Sequence, residues 1–87
     1  MKSITVTIVD PIGIHARPAS RIVTATSKFQ SSVAFKIGEK TANAKSLVNL
    51  MALGATQGSK VTIEVIGADE DAALAAIEDI LTSEKLV

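Results

Sequence analysis

The segment Gly13-Ile14-His15-Ala16-Arg17-Pro18-Ala19 marks the point at which a strand-like pattern gives way to a helical one. Before it, residues 3–9 alternate apolar with mostly polar side chains, which predicts a half-buried strand. After it, apolar residues recur with helical spacing, so we predict that a helix begins at Ala16 with Pro18 in its first turn. His15, the only histidine in the chain, is then the residue that caps this helix.

The rest of the chain predicts three further strands and two further helices. The strand-like segments are residues 33–37, 40–42 and 61–65. Gly38-Glu39 is typical of a tight hairpin turn. Ser46 and Gly54 are residue types that begin and end a helix, so a two-turn helix is predicted at 47–53. The last helix follows Asp69. Its predicted buried stripe is Leu74, Ile77, Ile80 and Leu81.

This order of elements predicts an α+β fold of the type β-α-β-β-α-β-α. The strands alternate instead of being apolar throughout, which is typical of an antiparallel sheet with one face exposed to water. The helices then form a single layer on the other face. With 87 residues, of which 47% are hydrophobic, the chain is expected to form one domain over residues 1–87.

Composition argues against several classes of protein. The chain has no cysteine, which argues against disulfides and thiolate metal sites and fits a cytoplasmic location. It has no apolar run of the ~20 residues needed to cross a membrane. Net charge is zero and Trp and Tyr are absent, which argues against nucleic-acid binding. The charge is uneven, because residues 1–60 carry eight basic and two acidic side chains, whereas residues 61–87 carry one basic and seven acidic.

His15 is an unusual choice for a helix cap. Ser, Thr, Asp or Asn would stabilise the helix better, and such departures often mark functional residues. The unpaired N–H groups at a helix N-terminus bind phosphoryl groups, and Arg17 adds a planar cation two residues away. A phosphoryl-accepting histidine is one hypothesis, and an ordinary surface histidine is the other. A metal site lacks further ligands, and Ser20 and Ser46 lack the spacing of a serine-type catalytic triad.

The segment 13–19 resembles the phosphohistidine signature of the HPr family, the histidine-containing phosphocarriers of the bacterial phosphoenolpyruvate-dependent sugar phosphotransferase system. A second similarity follows at Asn43, Lys45, Ser46 and Leu47, then Leu50-Met51 and Leu53-Gly54. The resemblance covers the whole chain. It implies an open-faced β-sandwich in which four antiparallel strands, ordered 1-4-2-3, are covered on one face by three helices.

The resemblance also implies a function and a set of partners. His15 would accept a phosphoryl group at Nδ1 from enzyme I and donate it to the IIA domains of sugar permeases, with Arg17 contacting the group in transit. The chain would be a carrier and not an enzyme, without cofactor or metal. Ser46 would be phosphorylated by an HPr kinase/phosphorylase and linked to a catabolite-control transcription factor. The implied partner-binding residues are Leu47, Val48, Met51, Ile14 and Ser20.

The short helix at 47–53 independently favours a docking role. Six of its seven residues are apolar, yet a helix lying on a sheet buries only one stripe. We expect Leu50 and Leu53 to be buried. The residues expected on the surface near His15 are Leu47, Val48 and Met51. Exposed apolar patches of this kind usually mark interaction surfaces.

Two other functions stay open at the level of sequence, and a third, the purely regulatory one, is set aside. An acylphosphatase-like hydrolase would use Arg17 and Asn43 to hold its substrate and water. A purely regulatory relative would act through Ser46, but such relatives lack the acceptor histidine. A nitrogen-responsive carrier would differ in the enzyme I homologue that phosphorylates it. Ile12, Arg21 and Asn49 depart from the family pattern and bear on partner preference.

Overall fold

The computed structural model describes all 87 residues as four strands and three helices. The strands are β1 (Lys2–Thr7), β2 (Ser32–Ile37), β3 (Lys40–Asn43) and β4 (Lys60–Ile66). The helices are α1 (Ala16–Thr26), α2 (Leu47–Leu53) and α3 (Glu70–Ser83). Every pairing in the sheet is antiparallel and the strand order is β1-β4-β2-β3. The predicted fold class, element order and strand order are confirmed.

The sheet has one buried and one exposed face, as its alternating sequence predicts. The largest side chains on the buried face are Phe35 of β2 and Ile63 of β4, which are neighbours in register. On the other face, Thr5 and Thr62 share a hydrogen bond of 3.0 Å, and Lys36 pairs with Glu64 at 2.9 Å. Because only one face is apolar, α1, α2 and α3 all pack on that side.

Two details differ from the predicted elements. The first strand was predicted over residues 3–9, but β1 ends at Thr7. Its partner strand begins at Lys60, which is in register with Thr7, and beyond that pair the backbone N of Val9 donates to the Leu86 carbonyl of the C-terminal tail at 2.7 Å. In α3, Leu74 is only half-buried, and the smaller Ala73 occupies the buried position at the start of the stripe.

Asp69 fastens the connection between α1 and β2 to the start of α3. Its carboxylate accepts hydrogen bonds from the backbone N of Gln30 and the backbone N of Ser31, both at 2.9 Å, and from the Ser31 hydroxyl. The hydrogen bond from the Ser31 side chain, followed by that from the Gln30 backbone, lowers the pKa of Asp69 below its ordinary range. Although Asp69 precedes α3, its side chain does not cap that helix.

The Asp69 carboxylate should make stability depend on pH. Since its folded-state pKa lies below the unfolded one, its contribution is present at neutral pH and is lost as pH falls through the folded value. We expect Asp69→Asn to lower the urea midpoint at pH 7, and the deficit to shrink below about pH 4. Asp71→Asn is the matched control, because Asp71 is exposed and makes only a surface ion pair with Lys2. A deficit unchanged down to pH 2 would contradict this assignment.

Candidate functional site

His15 caps α1 through its backbone and leaves its side chain unused. Its φ and ψ are −108° and −176°, and its carbonyl accepts from the backbone N of Ala19 at 3.0 Å. The imidazole makes no capping hydrogen bond and no other hydrogen bond within the chain, and the residue is half-buried. The predicted cap is confirmed. A ring placed at a helix end without a structural partner is available for chemistry.

Unpaired donors lie beside this ring. The backbone N–H groups of Ala16 and Arg17 have no acceptor within the chain, and Pro18 has no N–H to offer. The Arg17 side chain is exposed and makes no ion pair. By contrast, Arg21 is engaged by Glu84 and Ser83 at the end of α3. The first turn of α1 therefore presents two backbone N–H groups and one guanidinium that can donate hydrogen bonds to a phosphoryl group.

The loop before His15 is fixed by tight backbone contacts. Within it, the Asp10 side chain accepts a hydrogen bond from the backbone N of Ile12 at 2.8 Å. The Asp10 carbonyl accepts a second one from the backbone N of Gly13 at 3.0 Å. The next residue, Ile14, donates its N–H to the Ala55 carbonyl at 3.1 Å. Gly13 has φ +82°, and a Cβ on it would lie 2.2 Å from that carbonyl oxygen. The loop thus packs against the segment that follows α2.

The two other residues predicted for partner binding, Ser20 and Ile14, differ in their exposure. Ser20 is exposed on α1, in a shallow groove with Arg21, Thr24 and Lys28. Ile14 is only 7% exposed and belongs to the hydrophobic core. Its hydrogen bond to Ala55 turns its side chain inward, so Ile14 supports the site from below and offers no apolar surface to a partner.

Ser46 caps α2 with its side chain. Its Oγ accepts from the backbone N of Asn49 at 3.2 Å and from the Asn49 side chain at 3.1 Å. Gly54, with φ +72°, ends the helix in the left-handed conformation. Both helix boundaries match the prediction. The side-chain bond from Asn49 was not predicted, although the spacing of Ser46 and Asn49 is that of a capping box, which is the signal that could have indicated it.

The apolar residues of α2 divide as predicted. Leu50 and Leu53 are buried, whereas Leu47, Val48 and Met51 are 39%, 76% and 43% exposed. We call these three exposed residues the docking patch. The amphipathic helix α2 buries one apolar stripe against the sheet and leaves a second apolar stripe exposed to solvent. The largest exposure of the three falls on Val48, the second residue of α2.

The docking patch lies between His15 and Ser46. At one end, Ile14 beside His15 is bonded to Ala55 just after α2. At the other, the Thr26 hydroxyl at the end of α1 donates to the Ala44 carbonyl, just before Ser46, at 2.8 Å. The helices α1 and α2 therefore run antiparallel. Since α2 has seven residues, its two ends are about 10 Å apart.

The surroundings of His15 suit a macromolecular partner. The surface has four grooves, and none is lined by His15 or Arg17. Small-molecule sites are normally concave, so an open imidazole flanked by an apolar patch fits a protein better. The hydrolase hypothesis also loses support, because Asn43 lies near the Ser46 end of α2 and is not brought together with Arg17.

The remaining features of the structure concern metal ions and membranes. No group of three or more His, Cys, Asp or Glu side chains is arranged to hold a metal ion. None of the helices is both long and apolar enough to cross a membrane.

Known proteins resemble this chain over its whole length. A family model described as PTS HPr component phosphorylation site matches residues 2–83. The phosphocarrier protein HPr of Lysinibacillus sphaericus is 45% identical over 82 residues, which cover 94% of this chain and 93% of the relative. The HPr of Mycoplasma genitalium is 43% identical over 88 residues, covering all of both chains. The solved structure of a Mycoplasma histidine-containing phosphocarrier protein has a TM-score of 0.97 at 36% identity, covering 99% and 98% of the two chains.

The contact between Gly13 and Ala55 can be tested by adding a methyl group. We expect Gly13→Ala to lower the free energy of unfolding by about 3 kcal/mol, because the new Cβ meets the Ala55 carbonyl and φ is positive. The same substitution should shift the NMR resonances of the His15 ring. Gly38→Ala is the control, since Gly38 has φ +57° but open space around it, and should cost only about 1 kcal/mol. Equal losses in the two variants would show that packing against Ala55 is unimportant.

Proposed function

The chain belongs to the HPr family of phosphocarrier proteins of the phosphotransferase system, and on that premise we propose that His15 relays a phosphoryl group from enzyme I to sugar-specific IIA domains. The observation that carries the proposal is the free imidazole of His15 beside the unpaired amides of Ala16 and Arg17. Residues 1–87 act in this proposal as one carrier domain, which is phosphorylated transiently and does not turn over a substrate by itself.

The proposed transfer uses few protein groups. A lone pair of the His15 ring, at Nδ1, forms a bond to phosphorus while the bond from phosphorus to enzyme I breaks. Phosphoryl transfer depends mainly on positioning and on stabilising the charge of the equatorial oxygens. Those oxygens would accept hydrogen bonds from the two free backbone N–H groups of α1 and from the Arg17 guanidinium. Passing the group to a IIA domain reverses the same step.

The docking patch is proposed as the surface that enzyme I and the IIA domains share. It lies on α2, whose C-terminal end contacts the His15 loop through the hydrogen bond from Ile14 to Ala55. Apolar exposure next to an unpaired cation, Arg17, suits partners whose surfaces combine apolar and acidic residues. Ser20, which is exposed on α1, extends this surface on the other side of His15.

Ser46 is proposed as a regulatory site at the other end of the docking patch. An HPr kinase/phosphorylase would phosphorylate it, adding nearly two negative charges at neutral pH. Those charges would repel acidic partners of the patch and slow the relay through His15. The phosphorylated form would in turn be recognised by a catabolite-control transcription factor. The support for this role is the position of Ser46, which is half-buried at the start of α2 and lies within one short helix of the His15 loop.

The acceptor residue can be tested by reconstituting the relay. With enzyme I, magnesium and phosphoenolpyruvate, the protein should gain one acid-labile, base-stable phosphoryl group, and His15→Ala should gain none. Arg17→Ala should keep the acceptor but slow transfer about 100-fold, since it removes a charge from the developing oxyanions. Because Arg17 is exposed and unpaired, its substitution should leave the unfolding midpoint nearly unchanged.

Two outcomes would contradict the relay. Labelling that survives His15→Ala would move the acceptor elsewhere, and multiple turnover of an acyl phosphate by the isolated domain would favour the hydrolase. Comparison of the sugar-system enzyme I with its nitrogen-responsive homologue then identifies the branch, because the cognate donor should phosphorylate His15 faster.

The docking patch predicts a separate loss of affinity. Val48→Asp places a charge at the most exposed residue of the docking patch, so we expect binding of enzyme I to weaken about tenfold without a change in fold. Ile66→Asp is the control, because Ile66 is 53% exposed on β4, on the sheet face away from the helices. Titration calorimetry with enzyme I measures both. Equal weakening by the two variants would mean that the effect is general and that α2 is not the interface.

A further inference from the structure

Asn49 holds the hydroxyl of Ser46 in place. Its side-chain Nδ2 donates to Ser46 Oγ at 3.1 Å, and its backbone N donates to the same atom at 3.2 Å. The other end of the amide is also fixed, since Asn49 Oδ1 accepts from the backbone N of Asn43 at 3.4 Å. The amide therefore links the end of β3 to the serine that precedes α2. The backbone bond is an ordinary cap, whereas the side-chain bond is an addition to it.

The two hydrogen bonds use the acceptor capacity of this hydroxyl. A serine Oγ has two lone pairs and one proton to donate, and each lone pair of Ser46 faces one Asn49 donor. We propose that Asn49 controls the phosphorylation of Ser46: its amide restrains the hydroxyl before transfer and donates to the phosphate afterwards. The inference rests on the regulatory role proposed for Ser46 above.

The restraint follows from the bonds that change during transfer. A lone pair of Ser46 Oγ forms the new bond to the γ-phosphorus of a nucleoside triphosphate. The bond between that phosphorus and the β,γ-bridging oxygen breaks, the nucleoside diphosphate leaves, and the hydroxyl proton passes to a general base on the kinase. The lone pair is available only after Asn49 Nδ2 has released it. The need to break this one neutral hydrogen bond before transfer should make phosphorylation of Ser46 about fivefold slower.

The same amide favours the product. Phosphate oxygens carry nearly two negative charges at neutral pH and are stronger acceptors than a hydroxyl. Nδ2 already lies 3.1 Å from the atom to which the phosphate is attached, so a small rotation brings it to a phosphate oxygen. A neutral hydrogen bond is thereby exchanged for a charge-assisted one. Asn49 would make the modification slower to install and more stable once present.

Kinetics with an HPr kinase, magnesium and ATP test the restraint. Asn49→Ala and Asn49→Gly both remove the side-chain amide, but alanine is the best helix former and glycine one of the poorest. We expect kcat/KM for phosphorylation of Ser46 to rise about fivefold in both variants. Rates that are unchanged or lower in both overturn the restraint. Rates that move in opposite directions also overturn it, because they trace the effect to the stability of α2.

The contact with the phosphate is tested without the kinase. Phosphoserine is encoded at position 46, and the side-chain amide of Asn49 is followed by NMR as pH rises through about 6, where the phosphate gains its second charge. One Asn49 amide proton should move downfield, while the Gln57 side-chain amide, which donates to Val9, stays in place. An unmoved Asn49 amide overturns the inference even if the kinase labels Ser46. A moving amide in a chain that the kinase leaves unlabelled overturns the regulatory proposal instead.

Discussion

The close approach of Gly13 to the Ala55 carbonyl is the constraint on which the functional surface depends. It brings the loop before α1 against the end of α2, and only a residue without a Cβ fits there. The hydrogen bond from Ile14 to Ala55 completes this contact. The opposite ends of the two helices are joined by the hydroxyl of Thr26 and the carbonyl of Ala44. Fixed at both ends, α1 and α2 can expose His15, the docking patch and Ser46 along one rigid surface.

This arrangement explains why a carrier needs little machinery of its own. A phosphocarrier must present its acceptor to other proteins, and the proposed acceptor, His15, lines none of the four grooves of the surface. In the proposed function, the energy of recognition comes from apolar residues, and the exposed part of α2 supplies them. Burial of Leu50 and Leu53 anchors that helix, so its outer residues keep a fixed position relative to His15.

Local features were predictable from the sequence, and contacts between distant segments were not. The caps at His15 and Ser46 follow from residue types and periodicity, which act within one turn. The strand order came from family resemblance, since the pairing of β1 with β4 joins residues about 60 apart and has no local signal. The burial of Ile14 was not predicted for the same reason, because its backbone is held by Ala55, far along the chain. The bond between Asn49 and Ser46 depends on a side-chain rotamer that spacing alone does not specify.

The two residues proposed as phosphorylation sites differ in how many of the donors and acceptors at their helix ends already have partners. At α1, histidine replaces a better cap, at a cost of about 1 kcal/mol, and the amides of Ala16 and Arg17 remain free. At α2, Ser46 is a good cap and its oxygen is occupied by Asn49. A phosphoryl group therefore meets free donors at His15 but must displace an existing hydrogen bond at Ser46. In the proposed function, this difference in capping favours rapid transfer through His15 and slow, persistent modification of Ser46.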